Sequence, residues 1–504
     1  MKIITCEQIR QADAYTIQNE PIASIDLMER AASKLYNEII RKVNINSAII
    51  IFAGPGNNGG DALVVARLLL QAGYNVKCYV LHFTEKYSQD FLVNQARLEN
   101  ETNCKIIRLH EIKDFPDIYP DDWIIDGIFG SGLSRPLKSF PAESVKKINQ
   151  SGANIISIDI PSGLFGEDNS HNILDHIIQA DFVFSFQFPK LSFFFAENEK
   201  FVKSWKVVPI GLHQDFISKV ETPYHFIEKS EISAYLSKRK TFSHKGNFGH
   251  SLLIAGSFGK MGACILASKA CLRSGSGLLT VHCPKFGIPI MQSSVPEAMC
   301  STDANEKFIG EIPNLNDYNA VGIGPGIDKK EQTAIMLEDL LTNCKKPLVL
   351  DADALNIISE KKLSSIIPAN SILTPHPKEF DRLAGSSNNA FERLQKAINF
   401  AVKHKVNIIL KGAYTRVISH DGKCSFNSTG NPALSTGGSG DVLTGIILSL
   451  LSQGYAPENA AKMGVYIHGL TGDIAKEQFG EICCIASDFV NEISNAFEII
   501  NNEK

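Results

Sequence analysis

The sequence predicts an α/β protein built as two parallel-sheet domains in series, and three observations carry that reading. Short apolar runs of strand length alternate with helical patterns, several of the runs break into glycine-rich turns, and a polar stretch at about 213–240 divides the alternation into two series. Short buried strands alternating with helices are the pattern of a doubly wound parallel sheet.

An amphipathic helical pattern opens the chain, with Ile9, Ala12 and Ile17 and then Leu27, Ala31, Ala32 and Leu35 recurring at helical spacing. The first strand is expected at 48–53, running straight into a glycine-rich turn and a helix from Asp61 to about Ala72. Strands at 76–81, 123–126, 155–160 and 182–186 follow, and the apolar segment 207–212 comes after them. The polar connector ends in Lys238-Arg239-Lys240. Beyond it, strands are expected at 251–255, 277–281, 320–323, 348–350, 372–374 and 407–411, with a helix at 263–274. The two series share no repeat length, so the reading is two different domains, residues 1–215 and 225–504, and not a duplication.

Of 504 residues, 44% are hydrophobic and 21% charged, which suits a globular chain and argues against disorder. A net charge of -4 without a basic block argues against nucleic acid or an anionic membrane as a partner held by bulk charge. No apolar run approaches the roughly 20 residues of a membrane span, and the N-terminal residues lack the apolar core of a secretory signal. Eleven scattered cysteines without metal-ligand spacing read as buried free thiols, so the cytoplasm is the expected location. A homo-oligomer is expected, its subunit number left open by the sequence.

Strand 48–53 ends in Gly54-Pro-Gly-Asn-Asn-Gly-Gly-Asp-Ala62. Such a turn lets backbone N–H groups approach an anionic ligand ahead of a helix N-terminus. It is neither a GxGxxG fingerprint nor a P-loop, and alone it fits a plain tight turn equally well. Two further turns tip the balance: strand 123–126 runs into Asp126-Gly-Ile-Phe-Gly-Ser-Gly-Leu-Ser-Arg-Pro136, and strand 155–160 into Asp159-Ile-Pro-Ser-Gly-Leu164. All three leave the carboxyl ends of parallel strands, where open α/β sheets place their ligands. Asn58, Asp126, Asp159 and Ser162 add oxygen ligands or acids.

Together GPGNNGGD, DGIFGSGL and SIDIPSGL resemble the NAD(P)H-hydrate epimerase family over roughly residues 1–215. The resemblance implies a Rossmann-like three-layer fold and exchange of the R and S forms of hydrated NAD(P)H at C6 of the nicotinamide ring. It also implies a potassium ion on Asn58, Asp126 and Ser162, an oxygen-only set that suits a hard cation. Substrate contacts carry over to Asn57, Asn58, Gly59, Gly60 and Asp61, to Gly130, Ser131, Gly132, Leu133, Ser134, Arg135 and Pro136, and to Asp159. Asp159 is the candidate proton carrier, because epimerisation requires acid–base help whether the hydroxyl leaves or the ring opens. Ala62 stands where the family more often has glycine.

In the second half, Gly437-Gly-Ser-Gly-Asp441 precedes an apolar helical pattern. Small residues ahead of a helix form an anion-binding nest, and the acid that follows is placed to accept the proton of a hydroxyl attacking a phosphoryl group. A helix N-cap at Asp441 is the plainer alternative. Gly322-Ile-Gly-Pro-Gly326, His376 between two prolines, and Lys411-Gly-Ala-Tyr-Thr415 lie at other expected strand ends; Asp351 and Asp353 follow strand 348–350, where either could merely cap the next helix.

HKGNFGHSLLIAGS, VGIGPG, LDADALN, LTPHPKE, KGAYT and STGGSGDVLTG resemble the ADP/ATP-dependent NAD(P)H-hydrate dehydratase family, relatives of ribokinase-like kinases, over about 240–500. The resemblance implies a ribokinase-like α/β domain with adenine nucleotide on Lys411, Gly412, Ala413, Tyr414, Thr415 and Gly440. It places hydrated cofactor near Ala263, Cys264, Gly326, His376 and Asp441, and magnesium on the nucleotide phosphates. Cys264 departs from the family's usual alanine, with a thiol that would crowd the pocket. The implied chemistry is dehydration driven by ADP or ATP: phosphorylating the C6 hydroxyl turns it into a leaving group, which the ring nitrogen expels as phosphate. A vitamin-precursor kinase is the rival reading of the second domain, and a non-catalytic binding module that of the first.

Overall fold

A computed structural model describes residues 1–502. The chain divides into two compact units, one covering Lys2–Thr222 and the other running from Pro223 to the C-terminal end and including Met1.

A two-residue strand, β1 (Lys2–Ile3), starts the first unit, followed by helices Cys6–Asn19 and Ser24–Ile39. Thr5 caps the first of these, its side chain accepting from the Gln8 N–H while Gln8 returns to the Thr5 N–H. The central sheet comprises β2 (Ala48–Ala53), β3 (Asn75–Leu81), β4 (Ile107–Leu109), β5 (Trp123–Gly127), β6 (Asn154–Ile158), β7 (Phe182–Phe186) and β8 (Trp205–Val208). The order is β4-β3-β2-β5-β6-β7-β8, parallel throughout. The chain order reverses at β2, between β3 and β5, the crevice where such sheets bind ligands. One face of β2 buries Phe52 against Phe115, ring centroids 4.9 Å apart. Burial of a ring of this size contributes roughly 1.5–3 kcal/mol.

The strands expected at 48–53, 76–81 and 182–186 form, but two boundaries shift in ways that matter. The helix after β2 begins at Asn57 and runs to Gln71, so Asn57–Gly60 lie on its first turn instead of in a loop ahead of it. Strand β6 ends at Ile158, and Asp159 lies beyond it with a left-handed φ of 65°.

The second unit contains β9 (Tyr224–Phe226), β10 (His250–Ile254), β11 (Leu278–Cys283), β12 (Met299–Thr302), β13 (Ala320–Ile323), β14 (Leu348–Leu350), β15 (Ile372–Leu373), β16 (Asn407–Leu410), β17 (Arg416–Ile418) and β18 (Cys424–Phe426). Their order is β9-β18-β17-β16-β15-β14-β13-β10-β11-β12. Pairing is parallel from β12 across to β16; β17 is antiparallel to both of its neighbours. Helix Ser439–Ser452 is buried along almost its whole length and packs with helix Met261–Arg273 in the main core of this unit. Both units thus have the expected α/β architecture. The stretch 213–240 is not a bare connector: it holds helix Gln214–Lys219, strand β9 and helix Lys229–Tyr235.

Among the described residues, all eleven cysteines are free and most are buried, with Cys483 exposed. Among the described residues, no helix is long and apolar enough to cross a membrane.

Candidate functional site

In the first unit the three turns converge at the carboxyl ends of β2, β5 and β6. Gly54 donates its N–H to the Gly127 carbonyl at 3.1 Å, and a Cβ on Gly54 would lie 1.9 Å from the Ile128 oxygen, so only glycine permits this approach. Asp126, fully buried at the end of β5, holds the other two turns together. Its Oδ2 accepts from the Ser157 hydroxyl at 2.7 Å and the Ser162 N–H at 2.9 Å, and its Oδ1 from the Ser162 hydroxyl at 2.5 Å and the Ile128 N–H at 3.3 Å. All these donors are neutral, and burial pushes the Asp126 carboxyl above the usual carboxylate range. Asn58 is buried beside the Gly130 loop, with an Nδ2 that has no partner among the described residues. The Phe129 carbonyl is 3.3 Å from the Ser162 hydroxyl. An acid without a counter-charge, an adjacent hydroxyl and a backbone carbonyl form an oxygen set that fits a hard cation, and the Asn58 side-chain oxygen lies beside it at the Gly130 loop.

Asp159 takes part in a separate acidic group. Lys190 Nζ lies 2.7 Å from Asp159 Oδ1, and the lysine side chain is 1% exposed. Asp61, just after the first turn of helix Asn57–Gln71, is raised well above the carboxylate range by burial and by the carboxylates of Asp159, Asp13 and Asp90. Asp13, from helix Cys6–Asn19, is raised to about 7 by burial and by Asp159. Asn57, Gly132, Ser134 and Arg135 are exposed, Ser131 and Pro136 partly so, while Leu133 packs on the core.

In the second unit the nest forms as expected. Gly438, at φ 90°, is the N-cap of helix Ser439–Ser452, and Asp441 sits in that helix's first turn, so Asp441 is not the cap. The Ser439 hydroxyl is 3.1 Å from Nε2 of His468, an imidazole that burial lowers to about 4. A Cβ on Gly440 would lie 3.4 Å from Lys411 Nζ, which sets that ammonium beside the nest. Lys411 pairs with Asp351 at 3.1 Å, and Asp351 also accepts from the hydroxyls of Thr374 at 2.6 Å and Thr444 at 2.7 Å. Burial works against the charge on Lys411, but Asp351 and Glu379 outweigh it and raise the amine. Asp351 makes no capping bond to the helix that follows it. Asp441 is raised to about 7 by burial and by the Asp351 carboxylate, with Lys411 pulling the other way.

The remaining residues singled out in the sequence are placed less uniformly. Gly326, at φ 65°, abuts Lys260 and Ala263. Cys264 is wholly buried with its sulfur 3.6 Å from that of Met291, so its thiol fills core space and does not crowd an open pocket. His376 caps helix Pro377–Ala384: its Nδ1 accepts from the Lys378 and Glu379 N–H groups, which leaves only Nε2 for a ligand. Gly412 and Ala413 are exposed after β16, and Tyr414 has a left-handed φ of 50°.

Two family models match the chain: the YjeF-related protein N-terminus over residues 24–192 and NAD(P)H-hydrate dehydratase over 251–495. The bifunctional NAD(P)H-hydrate repair enzyme Nnr of Moorella thermoacetica is 33% identical over 509 residues, covering 97% of this chain and 96% of the relative. The chain belongs to this family of bifunctional NAD(P)H-hydrate repair enzymes. The Escherichia coli relative of the same name is 30% identical, covering 90% of this chain and 85% of its own. Among solved structures, an ADP/ATP-dependent NAD(P)H-hydrate dehydratase from Bacillus subtilis, co-crystallized with ATP/Mg2+, is 31% identical with a TM-score of 0.48. It covers 55% of this chain and 98% of that one.

Within this family frame, sequence reasoning missed Lys190 and Asp13 in the first unit and Thr374, Thr444 and His468 in the second. Lys190 had a legible signal: a lone lysine in the apolar run Phe186–Phe195 must either leave the core or find a buried partner. Asp13 had none, because nothing local to a polar helix tells which of its faces meets a distant strand end.

Proposed function

We propose that this chain repairs hydrated NAD(P)H in two steps on two sites, epimerising R- and S-NAD(P)HX in the first unit and dehydrating S-NAD(P)HX in the second. ADP or ATP is consumed in the second step, giving AMP or ADP and phosphate. One observation carries the reading: each unit sets an acid, the buried Asp159 or the half-buried Asp441, beside a glycine-rich turn at the carboxyl edge of its own parallel sheet.

In the first unit, Asn57–Asp61 and Gly130–Pro136 bind the hydrated cofactor, and Asp159 carries the proton that epimerisation moves. Potassium held by Asn58, Asp126 and Ser162 would supply positive charge to the crevice; the neutral partners of the buried Asp126 support it. In the second unit, Asp441 takes the proton of the C6 hydroxyl as that oxygen accepts a phosphoryl group. The helix N-terminus behind Gly438–Gly440 and the ammonium of Lys411 stabilise the charge that develops. Ala263, Cys264, Gly326 and His376 border the hydrated ring, Cys264 through its backbone. The nucleotide lies along Lys411–Thr415 and Gly440, its magnesium carried on the phosphates. The protein acts in the cytoplasm as a homo-oligomer.

The test is incubation with mixed R- and S-NADHX plus ADP or ATP while NADH absorbance is followed. Recovery of both isomers is the expected result. If neither nucleotide restores absorbance while a pyrimidine or thiazole alcohol is phosphorylated, the second unit is a kinase and the repair reading fails.

A further inference from the structure

Lys190 is the most deeply buried cation of the first unit, and its three donors are accounted for: Asp159 Oδ1 at 2.7 Å, the Ser185 hydroxyl at 2.9 Å and the Phe188 carbonyl at 3.4 Å. It therefore touches only protein. Asp159 Oδ1 also accepts the Phe186 N–H at 3.1 Å, so both of its lone-pair directions are occupied. Asp159 Oδ2 accepts no hydrogen bond among the described residues, yet it is not sealed from solvent. The parallel pairing of β6 with β7 sets Ile158 opposite Phe184, and the Asp159 N–H donates to the Phe184 carbonyl at 2.8 Å. The left-handed backbone at Asp159 then turns its carboxylate toward the end of β7, where Phe186 and Lys190 meet it. Left-handed backbone at a non-glycine residue costs on the order of 1–3 kcal/mol and persists only where its surroundings enforce it.

We propose that Lys190 is a positioning residue for epimerisation: it holds Asp159 with Oδ1 locked and Oδ2 free, so that Oδ2 alone exchanges the proton with the C6 hydroxyl. The proposal rests on the reading of Asp159 as the proton carrier. In the ring-opening route, Oδ2 takes the hydroxyl proton, the oxygen's electron pair closes the C6 carbonyl, and the C6–N1 bond breaks as N1 takes a proton from a neutral carboxyl. Closure on the opposite face reverses each transfer, and Oδ2 returns its proton, so protons and electrons balance. Besides Lys190, the titratable groups that sense Asp159 are Asp61 on helix Asn57–Gln71 and Asp13 and Cys6 on helix Cys6–Asn19, all of them raised by burial. Asp61 and Asp13 are the neighbouring carboxyls able to supply that proton, and Lys190 is a cation that opposes the shift at Asp13 and Cys6.

The experiment follows isomer exchange chromatographically, without nucleotide, in the full-length chain across pH 5–9. Lys190→Met is expected to lower kcat for exchange by about 10- to 100-fold, part of the 10²–10⁴ that general acid–base help contributes. KM should stay within about twofold, and the acid limb of the profile should move to higher pH, because a buried carboxylate without its counter-charge protonates more readily. Lys190→Arg should restore part of the rate, and S-NADHX dehydration should be unaffected in both variants. Asp159→Asn separates the two readings. If it is inactive while Lys190→Met keeps wild-type kcat and pH profile, the role of Lys190 is overturned and that of Asp159 stands; if Asp159→Asn itself exchanges at the wild-type rate, both fall. Should Lys190→Met fail to fold, Ser185→Ala, which removes one acceptor holding the ammonium, decides. A shifted acid limb supports the proposal and an unchanged one overturns it.

Discussion

The two acids proposed to carry this chain's chemistry are held in opposite ways. Asp159 shares a direct ion pair with a lysine that has no other charged partner among the described residues. Asp441 also has a lysine nearby, but Lys411 is bonded to Asp351, which is further held by two threonine hydroxyls, and Asp441 is left to feel the Asp351 carboxylate as a repulsion. At Asp441, with the neighbouring ammonium bonded elsewhere, burial and the like charge are left to raise the acid. A carboxyl raised to about 7 suits a base that must be ready near neutrality without being so weak that it cannot take a proton.

The sharpest way to break this comparison is Asp441→Ala. Dehydration of S-NADHX with ADP should fall by about 10³-fold or more, within the range that a general base contributes, while exchange between R and S isomers stays at the wild-type rate. Absorbance recovery measures the first and chromatography the second. Loss of both activities together would contradict two independent sites.

A smaller effect comes from pH alone. Below about 7 the Asp441 carboxyl is neutral and cannot accept the hydroxyl proton; above it the carboxylate is ready. The kcat/KM for dehydration should therefore fall about tenfold per unit as pH drops below 7 and level off above it. A profile flat from pH 5 to 8 would remove Asp441 from the base role.

Lys411→Met sharpens the same point by removing the charge that Asp351 and Asp441 both feel. The midpoint of the dehydration profile should move above 7. Asp351 would keep its two threonine donors but lose its only cation. Breaking a fully buried pair costs about 3–5 kcal/mol; Lys411 keeps some exposure, so roughly 2–3 kcal/mol is expected, a fall of roughly 5–10 °C in melting temperature.

How much of this was legible beforehand follows from the range of the forces involved. The apolar runs at 48–53 and 182–186 specify their strands locally, and the glycines at 54 and 438 mark where backbone comes close to another segment. The start of helix Asn57–Gln71 was misplaced because two glycines read as loop; burial of Gly59 and Gly60 against other segments overrides their poor helical propensity. Asp351 was legible as an acid at a strand end but not as the hub of Lys411, Thr374 and Thr444, since those partners are separated from it by 60, 23 and 93 positions. Pairing across such distances is set by strand order, which local pattern does not encode.

Ala62 offers the finest test, because the first unit departs there from the glycine more usual in its family. The residue is wholly buried in helix Asn57–Gln71, and a Cβ on Gly127 would lie 2.5 Å from the Ala62 Cβ, so the methyl packs directly on the backbone at the end of β5. It occupies space that glycine on the facing strand leaves open. Ala62→Gly should therefore leave the rate of isomer exchange within about twofold. It should cost about 1 kcal/mol of helix stability, with a further contribution from the lost methyl contact. Denaturant unfolding of the full chain would register the first unit's transition at lower midpoint. A large gain in exchange rate on restoring glycine would mean instead that the methyl holds the turn away from its ligand, and that the packing seen against Gly127 comes at the expense of the site.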